Sequence, residues 1–153
     1  MENDVIAPYR CTLLPYTEYL RLKPQICPLD LDFCWWLIQD DPATRTPTHG
    51  AYAFRSAAFG YGHFLHDDHL CVRPVLLLDH PKLSGRHIGD IIVMTDKHRN
   101  VWRFDVICDK YALLSTTCDA SLFSTNGSVE YKDSYVKTVV DAFAASLILM
   151  EGK

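Results

Sequence analysis

The sequence predicts an α+β fold that combines a mixed or antiparallel sheet and a β-meander with a short N-terminal helix and a C-terminal amphipathic helix. Three patterns support this prediction. Leu70 to Leu78 is almost continuously apolar, residues 89–115 alternate between β-rich stretches and polar turns, and apolar residues from Val136 to Ile148 recur with a helical period. Helices and strands are therefore expected to occupy separate parts of the chain.

The N-terminal part predicts a short helix and then a pair of tryptophans. Tyr16–Leu22 has the polar start and apolar spacing of a helix, which Pro24 is expected to end. Trp35 and Trp36 are adjacent, and successive side chains of a strand point to opposite faces. We therefore expect one indole to fill the core and the other to be half exposed or covered by a loop. The Pro- and Thr-containing stretch 40–50 is predicted to be an exposed loop.

The middle of the chain predicts three strands. Ala51–Phe54 and Gly62–Leu65 are short, and the Gly60–Gly62 stretch between them is expected to turn. The apolar run Leu70–Leu78 is expected to be a central strand that is covered on both faces.

Arg73 is a charge within this apolar strand. Burial of a guanidinium without a partner costs several kcal/mol. We therefore expect Arg73 to pair with carbonyl oxygens or with a carboxylate, for which Asp30 and Asp32 are the candidates.

A β-meander is predicted after the connector Leu83–Arg86. Its strands are Gly89–Met94, Val101–Ile107 and Tyr111–Ser115. Within the middle strand, one face is expected to be core and the other mostly solvated, because Trp102, Phe104 and Val106 alternate with Arg103, Asp105 and Ile107.

The C-terminal segment Ser134–Met150 is predicted to form the amphipathic helix that packs across the sheet. Its apolar residues make a single stripe, and Ser134 or Asp133 can cap its start. The 153 residues match the usual size of one domain. We therefore expect one domain over 1–153, with a first unit over 1–81 and a second over 82–153.

Composition narrows the function classes. The chain is 48% hydrophobic and 22% charged, and no apolar run approaches the roughly 18 residues that span a membrane. The acidic N-terminus has no apolar signal core, so we expect a cytoplasmic protein without membrane contact. The net charge of −4 disfavours nucleic acid as a partner. Six cysteines without a C-x-x-C pair favour free buried thiols over disulfides or a cysteine metal site.

Several motifs resemble those of an uncharacterised bacterial and prophage domain family, which is related to the C-type-lectin-like and formylglycine-generating-enzyme-like fold. Members of that family show W-W-L-R-S-P followed by V-R-P-A-L, then I-G-D, W-x-V-I and A-L-L. The resemblance covers most of the chain, from about Leu14 to Phe143, and implies a lectin-like first unit. It departs after Leu37, where Ile38–Pro42 replaces R-S-P, and it supplies no catalytic residues. The matching positions are 35–37, 72–76, 88–90, 102–107 and 112–114.

The candidate site lies in the Gly-, His- and aromatic-rich region between the Trp35–Trp36 segment and the Arg73 segment. Tyr and Arg supply contact area together with directed hydrogen bonds, as recognition surfaces require. We therefore expect a non-enzymatic protein-binding module, whose binding face consists of Arg55, Tyr61, His63, Phe64 and His66. Trp35, Trp36, Arg73 and Trp102 are expected to have structural roles.

Two other functions are alternatives. A metal-dependent enzyme would use the cluster His63, His66, Asp68 and His69, because imidazole and carboxylate ligands suit zinc. Otherwise no cofactor is expected. A self-associating structural protein, a homo-oligomer, would use an exposed member of the tryptophan pair as its apolar anchor. From the resemblance, a specific form of the leading function is a phage- or prophage-encoded inhibitor of a host defence complex.

Overall fold

The structure of the chain is a computed structural model, which describes residues 7–45, 49–55, 57–64, 71–116 and 140–150. Helices are short and strands predominate in these ranges. The elements are β1 (Cys11–Leu13), α1 (Tyr16–Arg21), α2 (Lys23–Ile26), a 3-10 turn (Cys27–Leu29), β2 (Trp35–Trp36), β3 (His49–Phe54), β4 (Ala57–Phe64), β5 (Pro74–Leu77), a 3-10 turn (Pro81–Leu83), β6 (Ile91–Thr95), β7 (Val101–Val106), β8 (Tyr111–Leu114), α3 (140–145) and β9 (Ile148–Leu149).

Two antiparallel sheets form the fold. The larger has the strand order β1-β5-β8-β7-β6-β9, and the smaller has the order β2-β3-β4. The neighbours β6, β7 and β8 are the predicted meander, and the α+β class with a short N-terminal helix is confirmed. Among the described residues, no helix is both long enough and apolar enough to cross a membrane.

Two hydrophobic cores lie on opposite faces of the larger sheet. The first core joins the sheet to α3 through Val140, Phe143 and Leu147. The second core joins the other face to α1, α2 and the smaller sheet, and it includes Tyr19 and Ala53. Residues of β5 alternate between the cores, which confirms that this strand is covered on both faces.

The tryptophan pair connects the two cores. Trp35 is 1% exposed and belongs to the second core, whereas Trp36 is 3% exposed and belongs to the first. The prediction that one indole is half exposed or lies under a loop is therefore wrong. The side chains do point to opposite faces of β2, but each face has a core of its own. The strand between these cores bonds to β3 on one side and to Cys71 on the other.

The predicted end of the N-terminal helix is confirmed within one residue, since α1 ends at Arg21, but Pro24 itself does not stop helical structure. It lies in the first turn of α2, which follows α1 after Leu22. Proline is tolerated there because the first amides of a helix have no intrahelical acceptor.

The predicted turn at Gly60–Gly62 is also wrong. These residues continue β4, and the chain turns at Arg55 instead. The register with β3 shifts between Gly50 and Tyr52, so the glycines lie in an irregular stretch of the strand. Gly60 is needed for close packing, because a Cβ at this position would meet the Thr44 side chain and Gln39 Nε2. Leu65, the predicted end of the strand, lies outside the described residues.

The C-terminal helix ends earlier than predicted. Helical structure ends at residue 145, and Ile148–Leu149 forms β9 at the edge of the larger sheet. The Met150 amide donates to Val93 O at 3.0 Å. Hydrogen bonding to the β6 edge therefore overrides the helical spacing, and Ile148 is 59% exposed instead of facing the core. Residues 134–139, the predicted start of this helix, lie outside the described residues.

Candidate binding surface at the β3–β4 turn

Arg55 occupies the turn between β3 and β4 and is exposed. Its φ of 49° lies in the left-handed region, which residues with a Cβ rarely adopt. Its guanidinium lies over the Phe54 ring, with Cζ 4.9 Å from the ring centroid. Arg55 Nε is 3.4 Å from Asp32 Oδ1, and this ion pair places the loop before β2 beside the turn.

Aromatic side chains accompany Arg55. Tyr52 and Phe59 face each other across β3 and β4 and stack with ring centroids 4.9 Å apart. Phe59 is 44% exposed, and Phe33, the neighbour of Asp32 along the chain, is 58% exposed. We call this group, together with the Arg55–Asp32 pair, the aromatic surface. It consists of Asp32, Phe33, Tyr52, Phe54, Arg55 and Phe59.

The predicted binding residues fall partly on this region. Arg55 is part of the aromatic surface. In β4, His63 lies opposite Gly50 and Phe64 lies opposite His49, and Tyr61 falls in the irregular stretch. His66 lies outside the described residues.

The sequence prediction did not include Asp32 and Phe33 in the binding face. Their segment is separated from Arg55 by more than twenty residues, and only the tertiary structure brings them together. An aromatic residue between an aspartate and a cysteine carries no local signal of exposure.

The metal alternative gains no support from the described residues, where no group of three His, Cys, Asp or Glu side chains is arranged to hold a metal ion. Its predicted ligands His66, Asp68 and His69 lie outside the described residues, and His63 is described through its strand pairing. The zinc site therefore stays a prediction.

Arg73 is fully buried, as its place in an apolar strand predicts. Its Nε donates to Leu114 O at 2.7 Å and its Nη2 donates to Leu29 O at 2.8 Å. Its guanidinium also covers the Trp35 ring, with Cζ 5.0 Å from the centroid. Arg73 therefore joins β8, the 3-10 turn after α2 and the second core.

Burial lowers the pKa of Arg73 from 12.5 to about 10, and the charges of Asp30 and Asp105 oppose this shift. Of the two predicted carboxylates, Asp30 thus acts on Arg73 through its charge. Asp32 instead pairs with Arg55. The hydrogen-bond acceptors of Arg73 are carbonyl oxygens, as one of the two predicted alternatives states.

Trp102 has the predicted structural role. Its ring packs edge-on against Phe143 of α3, with centroids 5.2 Å apart. Its Nε1 donates to Asp96 Oδ2 at 3.1 Å. The half-buried indole therefore connects the β6–β7 turn to the helix that covers the first core.

Cys27, Cys71 and Cys108 have free thiols. Cys34 and Cys71 come closest to suggesting a disulfide, because the Cys71 amide donates to Cys34 O at 2.9 Å. Their side chains pack against different cores: Cys34 packs against the first core and Cys71 against the second. A disulfide needs Cβ atoms that point toward each other, so this pair does not suit one. Cys118 lies outside the described residues.

No protein-family model matches the chain, and no significant similarity is found to curated proteins or to solved structures. The resemblance to the prophage domain family and its lectin-like fold therefore stays a prediction.

Proposed function

We propose that the protein is a non-enzymatic protein-binding module that captures its partner with the aromatic surface. The observation that carries this proposal is the exposure of three side chains: Arg55, Phe59 on the neighbouring strand, and Phe33, which follows Asp32, the ion-pair partner of Arg55. Aromatic and Arg side chains dominate the energy of protein interfaces, because they combine large contact area with directed hydrogen bonds. Tyr61, His63, Phe64 and His66, which the sequence predicts as binding residues, remain part of the proposed face.

The backbone of Arg55 gives a second argument. A left-handed conformation costs a residue with a Cβ roughly 1–2 kcal/mol relative to glycine. The exposed guanidinium offsets little of this cost, since surface ion pairs contribute about 0–1 kcal/mol. Strain of this kind tends to occur at functional sites. We infer that the Arg55 side chain is kept for contact with a partner.

Substitutions at Arg55 separate binding from stability. Arg55→Gly removes the side chain and relieves the strain, whereas Arg55→Ala removes the side chain and keeps the strain. We expect both variants to lose the partner, and Arg55→Gly to be about 1 kcal/mol more stable than Arg55→Ala. Urea unfolding measures the stability difference.

Binding is tested by quantitative capture from a bacterial lysate with immobilised protein. Two double variants are tested: one combines Phe33→Ser with Phe59→Ser, and the other combines Tyr61→Ala with His63→Ala. Their control is Ile88→Ser, which alters an exposed apolar residue outside the aromatic surface. A partner retained by Ile88→Ser and lost by the double variants supports the proposal. Equal capture by all variants contradicts it.

The finer form of the proposal is a cytoplasmic, phage- or prophage-encoded inhibitor of a host defence complex, with a C-type-lectin-like fold. It is supported by the family resemblance of the motifs. The expected outcome is that expression of the chain in a bacterium with an active defence system raises phage plating efficiency. Arg55→Ala is expected to abolish the effect, and unchanged plating with the wild-type chain contradicts this form.

Self-association is a second candidate function, favoured by a partly apolar sheet face. The first core covers one face of β6 and β7, while the second core reaches the opposite face of the sheet at β5 and β8. On the other face of β6, β7 and β9, cross-strand pairs bring exposed or half-buried residues together. We call this face the open face. The open face consists of Ile91, Val93, Thr95, Val101, Arg103, Asp105 and Ile148.

A second copy of the chain suits the open face. Its β-branched residues are of the kind that fill the space between packed sheets. Arg103 and Asp105 lie two residues apart on β7, so a two-fold axis across Phe104 would place each Arg103 opposite the Asp105 of the other copy. The tryptophan pair, which the sequence suggested as the anchor, is buried and does not serve this purpose.

Sedimentation over a range of concentrations tests the open face. The wild-type chain is expected to associate at high concentration and Ile148→Lys to remain monomeric, with Ile88→Ser behaving as wild type. A wild-type chain that stays monomeric throughout contradicts this candidate function and leaves the binding proposal unaffected.

A further inference from the structure

Residues 30–33 form a short loop between the 3-10 turn after α2 and β2. This loop supplies Asp32 and Phe33 to the aromatic surface, and both side chains are exposed. The ion pair of Asp32 with Arg55 brings the loop to the β3–β4 turn. Such a pair contributes little to the stability of the arrangement, because both side chains are exposed and solvent screens their charges. Other contacts must therefore fix the position of Phe33.

Both ends of the loop are bound by one segment, residues 71–73. The Leu29 carbonyl, just before the loop, accepts a hydrogen bond from Arg73 Nη2 at 2.8 Å. The Cys34 carbonyl, just after the loop, accepts a hydrogen bond from the Cys71 amide at 2.9 Å. A short chain that joins two fixed ends can adopt far fewer conformations than a chain with a free end. These two hydrogen bonds therefore restrict the whole loop.

The guanidinium of Arg73 is itself fixed. The side chain is fully buried, and its Nε donates to Leu114 O of β8 at 2.7 Å. The face of the guanidinium lies over the Trp35 ring in the second core. A planar group that is held at Nε and across its face has one place for Nη2. The larger sheet therefore fixes the position of Leu29 through Arg73.

We propose that the segment 71–73 fixes the loop 30–33, and that Arg73 is a positioning residue of the aromatic surface. Arg73 is buried and does not contact the partner. It acts through Leu29 on the place of Asp32 and Phe33. A loop that is ordered in advance loses less conformational entropy on binding than a loop that the partner must order. The effect on binding rests on the proposed function, whereas the order of the loop is a property of the protein alone.

NMR relaxation of the backbone amides measures the order of the loop without a partner. Rigid backbone has an order parameter of about 0.85 and flexible backbone a value below about 0.6. We expect the amides of Asp32 and Phe33 in the wild type to have the rigid value. In Arg73→Met, which loses the donor to Leu29 O, we expect their order parameters to fall below about 0.6.

Two control variants separate this effect from other causes. Ile92→Ala lowers the stability of the protein through the first core, away from the loop. Asp32→Asn removes the ion pair with Arg55 and keeps both backbone hydrogen bonds. Both variants are expected to keep the wild-type order at Phe33.

Four results would overturn the proposal. They are a flexible loop in the wild type, a rigid loop in Arg73→Met, an equal loss of order in Ile92→Ala, and an equal loss of order in Asp32→Asn. The third result would assign the effect to overall stability, and the fourth would assign it to the ion pair.

A second measurement uses the wild type alone and so decides the matter if Arg73→Met does not fold. Rotation about the Nε–Cζ bond of Arg73 would break the hydrogen bond from Nη2 to Leu29 O. We therefore expect separate resonances for Nη1 and Nη2 in the isotope-labelled protein. A single averaged Nη resonance overturns the proposal.

Lysate capture tests the consequence for binding. We expect Arg73→Met to bind its partner about tenfold more weakly than the wild type, because the partner must then order the loop. Ile92→Ala is expected to bind as the wild type does. Equal capture by the wild type and by Arg73→Met with a flexible loop overturns the positioning role. A wild type that captures no partner contradicts the proposed function, and the order parameters still decide whether Arg73 fixes the loop.

Discussion

Replacement of Arg73 by Lys should destabilise the protein more than replacement by Met, although Lys keeps the charge. Arg73 holds two carbonyl oxygens that lie on different elements, Leu114 O at 2.7 Å and Leu29 O at 2.8 Å. It also covers the Trp35 ring. A lysine ammonium is a compact point charge and cannot span both acceptors as the planar guanidinium does.

The magnitude follows from two opposing effects. Burial lowers the pKa of Arg73 from 12.5 to about 10, and at about 1.4 kcal/mol for each pH unit, keeping the buried charge costs about 3 kcal/mol. Each hydrogen bond from the charged group contributes about 1.5–3 kcal/mol. Arg73→Met loses both bonds but removes the buried charge and keeps apolar packing on Trp35, so we expect a loss of about 2 kcal/mol.

Arg73→Lys keeps a buried charge that is more strongly hydrated in the unfolded state, and it loses at least one of the two bonds. We expect its loss in the free energy of unfolding to be about 3–4 kcal/mol. Urea unfolding at neutral pH, followed by tryptophan fluorescence, measures both variants against the wild type. The reasoning is refuted if Arg73→Lys is as stable as Arg73→Met, or if Arg73→Met equals the wild type within about 0.5 kcal/mol.

Three further predictions use the same unfolding assay. The Tyr19 hydroxyl is buried and has no hydrogen-bond partner among the described residues, so Tyr19→Phe should leave the free energy of unfolding unchanged or raise it by up to about 1 kcal/mol, and a loss would contradict this. Trp35→Ala and Trp36→Ala should each cost about 3–5 kcal/mol, whereas a loss below about 1 kcal/mol for either would mean that its indole is exposed. Burial raises the pKa of Asp96, but hydrogen bonds from Trp102 Nε1, the Asn100 side chain and nearby amides outweigh it and lower the pKa from 3.8 to about 2. The stability contributed by this carboxylate is therefore complete above about pH 4 and is lost as the pH falls through about 2. The stability difference between wild type and Asp96→Asn should shrink over that range. Parallel pH profiles of the two proteins would contradict this prediction.

The candidate binding site could be predicted only in part. The sequence indicated Arg55 because an Arg among aromatic residues is typical of recognition surfaces. It did not indicate Phe33, because the ion pair between Asp32 and Arg55 joins segments that are distant along the chain. Hydrogen bonds and ion pairs of this kind depend on the tertiary fold, and no local period reports them.

By itself, the sequence determined the features that depend on local pattern: the α+β class, the burial on both faces of β5, the strand that follows Arg73, and the solvated face of β7. Only the tertiary structure decided what covers each face and each edge. Trp35 and Trp36 are both buried because separate cores lie on the two sides of β2, and Ile148 lies in a strand because the edge of β6 offers hydrogen bonds to it. Periodicity fixes the side to which a residue points, whereas burial depends on elements that the chain contributes from elsewhere.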